Sequence, residues 1–254
     1  MNLFRVRGIQ LAVHFSFILW LAFRAQEGWQ EGGWPGALWG TGTLVAFFTC
    51  VVLHEFGHSF TAMHYGIGVR RILLMPIGGM AEMDDIPRQP SRELLITLAG
   101  PAVNFVIAGL IFGVMWAADV PDDDGAAYSL VGFFDLLFWW NLAMGIFNLL
   151  PAFPMDGGRI LRALLATKMP YLKATFWAVT VGKVITGIGV ALALFVFHQP
   201  MLAILFAFIF MAGEMEFRAV KRREIEDAHW REVLARAYAH TIPPPVDEPP
   251  VLTR

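Results

Sequence analysis

Residues 38–63 read LWGTGTLVAFFTCVVLHEFGHSFTAM. A helix needs about 20 mostly apolar residues to cross the hydrocarbon core of a bilayer, and this stretch supplies them. Its one formally charged side chain, Glu55, stands near the end, between His54 and His58. In a helix the two histidines, at i and i+4, lie on one face about one turn apart. Their imidazoles can converge on a single zinc ion, and Glu55 is placed to take a proton from the attacking water. The alternative is two satisfied histidines meeting at a helix end by chance. An ionisable cluster inside a membrane helix is costly, and this favours the metal reading. If the helix enters near Leu38, His54 lies about 24 Å along at 1.5 Å per residue. That is still inside a core about 30 Å thick.

The rest of the chain has the same character. Of 254 residues, 57% are hydrophobic and 16% charged, with a mean hydropathy of +0.56. An ordinary soluble domain carries about 25% charged residues, so disorder is excluded and a soluble enzyme is disfavoured. The net charge of −2 gives no hint of a nucleic-acid partner, and the single cysteine, Cys50, excludes an internal disulfide. Apolar blocks run from about Gln10 to Phe23, Leu38 to Met63, Leu94 to Ala117, Leu130 to Leu150, Thr175 to Phe197 and Met201 to Gly213. These predict an α-helical polytopic membrane protein of about six spans, with both termini inside. Seventeen of the 19 basic residues then fall on the inner side. No cleavable signal peptide is evident.

Two histidines leave zinc short of protein ligands, because a catalytic site usually has three plus an open position. The fourth block ends in Asn148-Leu149-Leu150-Pro151-Ala152-Phe153-Pro154-Met155-Asp156-Gly157-Gly158-Arg159. The two prolines break the helix, and the glycines permit an unusual backbone path. Asp156 is thus an acidic residue at the depth of the histidines. It is a candidate ligand, or equally an N-cap for a helix beginning near Arg159.

The pair HEFGH and NLLPAFPMDGGR strongly resembles the site-2 protease family of intramembrane zinc metalloproteases, peptidase family M50. The resemblance covers essentially Met1 to Gly213. It implies that Asp156 is the third ligand to one catalytic zinc ion and that Glu55 is the catalytic base. It also implies that Asn148 faces the scissile carbonyl and helps stabilise the oxyanion; the alternative is an interhelical hydrogen bond. Gly100-Pro101-Ala102-Val103-Asn104 is similar to a family element whose small residues favour close helix packing. Asn104 and Asn141 are read as packing groups, His14 as a structural polar contact, and Lys183 as a snorkelling or pairing residue. His64 lies off the ligand face.

Residues 70–83, RRILLMPIGGMAEM, read as two short strands dipping towards the membrane. Apolar non-helical backbone is tolerable there only against protein or a watered cavity. The edge of such a sheet could hold an unwound transmembrane substrate as an added strand; an ordinary hairpin at the inner surface is the alternative.

The expected organisation is a core over 1–213, then a charged amphipathic helix and a proline-rich tail over 214–254. Neither a PDZ domain nor a CBS pair, both frequent in the family, fits the loops or the tail. The expected activity is hydrolysis of peptide bonds within or near transmembrane segments of membrane proteins. The expected location is a prokaryotic cell membrane. The rivals are a catalytically inactive relative and a metal-binding membrane transporter. A transporter would spread ionisable residues along a path, whereas here they gather at one depth.

Overall fold

The computed structural model describes residues 1–76, 78–84, 88–119 and 128–241. Two strands open the chain, β1 (Asn2–Val6) and β2 (Ile9–Val13). They pair antiparallel around Arg7 and Gly8, both at positive φ (47° and 93°), the backbone twist that two-residue hairpin turns favour. Helix α1 follows (Phe15–His64), capped by the His14 side chain, which accepts from the Ser16 amide.

Helix α1 is a hairpin in its own right. Gly32 and Gly33 leave helical geometry, and Gly33 sits at φ 62°, a conformation that favours glycine. The chain reverses there. Pro35 falls in the first turn of the returning limb, where its missing N–H is tolerated. The limbs lie against each other. The rings of Phe17 and Phe48 are 4.7 Å apart, and a Cβ on Gly40 would come within 3.0 Å of the Arg24 carbonyl.

Strands β3 (Val69–Met75) and β4 (Gly78–Met83) then complete a four-stranded sheet of order β1-β2-β3-β4. β2 runs parallel to β3 with Leu11 opposite Ile72, and β3 antiparallel to β4 with Ile72 opposite Ala81. Ile9, Leu11 and Val13 alternate inward, as strand geometry requires. They share one buried cluster with Ile72, Leu74, Phe48 and Val51, so the sheet is sealed onto α1.

Four more helices follow: α2 (Pro90–Ala117), α3 (Leu130–Asn148), the short α4 (Asp156–Ala166) and α5 (Tyr171–Phe195). A last helix, α6, runs from Pro200 to Thr241. Helices α1, α2, α3, α5 and α6 are long and apolar enough to cross a membrane. Because α1 doubles back, they offer six limbs, and the protein is a polytopic membrane protein. Their outer faces suit lipid. α3 buries only Leu137, Asn141 and Gly145, one stripe at i, i+4 and i+8, while Phe134, Trp139 and Ile146 are exposed.

Two sequence expectations need correction. The first apolar block does not begin a span at Gln10, since Gln10–Val13 belongs to β2 and the helix starts at Phe15. The sheet has four strands rather than two, because β2 joins β3 across the whole of α1. The sixth apolar block and the charged helix expected after Gly213 form one element: no helix-breaking residue separates them, and the charged segment has good helix propensity, so α6 runs unbroken to Thr241. The proline-rich tail beyond Thr241, Ile77 and the acidic run 122–124 lie outside the described residues.

Candidate metal centre

His54 and His58 stand on consecutive turns of the returning limb of α1, where 3.6 residues per turn bring i and i+4 onto one face. Both are buried, and their Nε2 atoms are 3.1 Å apart. Asp156 is the first residue of α4. Its N-cap is Met155, so the Asp156 carboxylate does not cap the helix. It turns to the histidines instead, with Oδ2 3.3 Å from each Nε2. No hydrogen-bond partner for that buried oxygen is present among the described residues.

The three groups could hold one metal ion. Two ligand atoms at about 2.0–2.1 Å from zinc, set at a tetrahedral angle, lie about 3.3–3.4 Å apart. The observed spacings of 3.1, 3.3 and 3.3 Å match that triangle, and two imidazoles with one carboxylate are a zinc donor set.

The histidines reach this geometry through their other ring nitrogens. His54 Nδ1 lies 2.6 Å from Asn104 Oδ1, and His58 Nδ1 2.8 Å from the Ile96 carbonyl. Both partners are acceptors, so Nδ1 carries the hydrogen and donates, leaving the Nε2 lone pair for the metal. The chain of contacts continues. Asn104 donates to Asn141 Oδ1 at 3.0 Å, and Asn141 donates to the Leu137 carbonyl at 2.8 Å. Asn104 and Asn141 are fully buried. Asn104 and Asn141 are packing groups between α2 and α3, as expected, and the Asn104 amide oxygen additionally orients the His54 ring. The position of Asn104 four residues after Gly100, on one face of a membrane helix, was the available signal.

The glycines make space rather than bends. A Cβ on Gly100 would run into His58 Nε2 and lie 2.7 Å from His54 Nε2. On Gly158 it would meet the Phe153 amide nitrogen at 2.7 Å. Gly157 and Gly158 sit within regular α4, so they permit close approach to the preceding loop instead of the irregular path expected from the sequence.

Glu55, beside His54, is partly exposed. Gly79, in edge strand β4, passes over it: a Cβ there would be 2.8 Å from Glu55 Cγ. Asn148 is half-buried at the end of α3, and its amide donates to the Met144 carbonyl at 3.0 Å. His14 is the cap of α1. Lys183 pairs with Glu214 and lies 5.4 Å from the Phe210 ring centre.

Comparison with known proteins points to one family. The model of peptidase family M50 matches residues 42–120 and 114–196. A zinc metalloprotease of Methanocaldococcus jannaschii is 39% identical over 220 residues, 87% of this chain and 61% of that protein. Stage IV sporulation protein FB of Bacillus subtilis is 30% identical over 134 residues, 52% of this chain and 43% of that protein. The chain thus spans about three-fifths of the first relative's length and less of the second's. Among solved structures, a site-2 protease from Methanocaldococcus jannaschii superposes with a TM-score of 0.60 at 37% identity, covering 85% of this chain and 94% of that one. With a buried His-His-Asp group in a bundle of membrane helices, the chain belongs to peptidase family M50, the site-2 protease family of membrane zinc metalloproteases.

Proposed function

We propose that this chain is an intramembrane zinc metalloendopeptidase that hydrolyses peptide bonds within or near transmembrane segments of other membrane proteins. The observation that carries the reading is the convergence of His54, His58 and Asp156 at about 3.3 Å spacing beside Glu55. His54, His58 and Asp156 would hold one zinc ion, which would supply Lewis acidity and lower the pKa of a nearby water. Glu55 takes the proton from the attacking water and returns it to the leaving amine. Asn148 turns its amide from the Met144 carbonyl to the developing oxyanion, where a neutral donor meets new negative charge.

The substrate helix unwinds and adds as a strand to the open edge of β4. Two features support this. β4 is the last strand of the order β1-β2-β3-β4, and its Gly79 lies against Glu55. The location that goes with this activity is a prokaryotic cell membrane, and the distribution of the basic residues supports both termini on its cytoplasmic side. Residues 1–213 form the proteolytic core, and the segment from 214 to 254 is a cytoplasmic extension.

The deciding experiment measures bound zinc and cleavage of a single-span test substrate in wild type, His54→Ala and Glu55→Gln. Wild type should carry one zinc and cleave. His54→Ala should lose both properties, and Glu55→Gln should keep the metal and lose cleavage. Cleavage retained by Glu55→Gln would sink the assignment of the base, and wild type without stoichiometric metal would favour a non-proteolytic protein.

A further inference from the structure

Helix α4 delivers Asp156; its Leu161 and Leu165 pack, half-buried, against Phe153, Ala178 and Val179, a nonpolar contact that by itself sets no register. The helix is 11 residues long, shorter than helices that hold alone in water, which need about 12–15. Its cap residue, Met155, makes no side-chain capping bond. Of its four buried residues, Gly157, Gly158, Arg162 and Ala163, only Arg162 has a long side chain.

That side chain is gripped from every direction. Arg162 donates from Nε and Nη2 to Glu93 Oε1 at 2.8 and 2.5 Å, and from Nη1 to Glu216 Oε1 at 2.6 Å. Its guanidinium lies 5.1 Å from the Phe153 ring centre and 5.0 Å from that of Tyr171. Glu93 and Arg162 are 1% and 5% exposed. The second Glu93 oxygen is buried with no hydrogen-bond partner among the described residues. A buried ion pair is weak support for stability and is best attested as a device that fixes registry. A guanidinium fork held between rings is well suited to that task, and lysine cannot reproduce it.

What is registered is the metal centre. Glu93 lies in the first turn of α2, one turn before Ile96, whose carbonyl orients His58. Phe153 belongs to the loop leading into Asp156. We infer that Arg162 is a positioning residue: it locks α4, and with it Asp156, to the stretch of α2 that orients His58. Glu216 extends the same grip to α6. The inference rests on His54, His58 and Asp156 being zinc ligands.

The test uses the full chain, purified in detergent. Zinc affinity is measured by chelator competition, ligand geometry by the visible spectrum of the cobalt-substituted protein, and folding by thermal melting. Wild type and His54→Ala set the limits. Arg162→Lys and Glu93→Gln should bind zinc about 10–100-fold more weakly, the usual effect of removing outer support from a ligand. Their cobalt spectra should change, and kcat should fall with KM unchanged. Lys183→Met, which removes the α5–α6 pair with Glu214, should lower the melting temperature and leave zinc affinity alone. Wild-type zinc affinity and cobalt spectrum in both Arg162→Lys and Glu93→Gln would overturn the inference, whatever their melting temperatures. If Arg162→Lys does not accumulate, Glu93→Gln decides by the same measure. Wild type that binds zinc no better than His54→Ala would instead overturn the metal reading beneath it.

Discussion

The two histidines and the aspartate of the candidate metal centre are held by different chemistry. The histidines lean on neutral groups, the Asn104 amide and the Ile96 carbonyl, with Asn141 behind. Asp156 rides on a short helix anchored by charges, Arg162 between Glu93 and Glu216. A long helix such as α1 already sets its two ligands relative to each other, so only ring orientation and tautomer remain to be chosen. A hydrogen-bond acceptor suffices for that. A ligand arriving on a separate short helix needs its whole support located. Buried hydrogen bonds to charged groups, roughly twice as strong as neutral ones, do that better.

This contrast can be broken at several points. The largest effect should follow loss of a histidine: His58→Ala should remove zinc and all cleavage, as read by metal analysis. Glu55→Gln separates binding from chemistry and should cut kcat by at least about 10²–10⁴-fold, the usual contribution of a general base, with zinc retained.

Gly100→Ala comes next. Its methyl would enter the space of both Nε2 atoms, at an overpacking cost of about 1–3 kcal/mol. Chelator titration should show much weaker zinc binding. Gly109→Ala, on the same helix with nothing within 4 Å, should leave the metal untouched.

Asn104→Leu removes the acceptor for His54 and should weaken zinc about 10–100-fold. Asn141→Leu acts one bond further away and should cost less than Asn104→Leu in the same titration. If Asn141→Leu proved the more damaging of the two, the neutral ladder would be serving α2–α3 packing before it served the metal.

Much of this was open to reading in one dimension. The i, i+4 histidines need only helix geometry, and the apolar blocks gave the helices to within a few residues at most ends. The α3 end at Asn148 and the α2 start at Pro90 are examples. The N-terminal strands were not legible. Ile9-Gln10-Leu11-Ala12-Val13 is apolar enough to pass for the start of a span, and its partner, β3, lies beyond the whole of α1. The role of Asn104 was hidden for the same reason, since its hydrogen bond to His54 joins residues 50 apart. The Arg162–Glu93 pair joins residues 69 apart. In the sequence Arg162 was one more basic residue on the inner side.

By itself the sequence determined a membrane bundle, the placing of His54, Glu55 and His58 on one helix, and a broken segment carrying an acid nearby. These follow from local rules: apolar length, helical period and the limits of proline. Only the tertiary structure decided that Asp156 faces the histidines rather than capping α4. It also decided that Asn104 and Ile96 orient the rings, and that Arg162 fixes the short helix. Those choices depend on which helix faces meet, and that is set by close packing between segments far apart in the chain, where Gly57 and Gly100 leave room for the meeting.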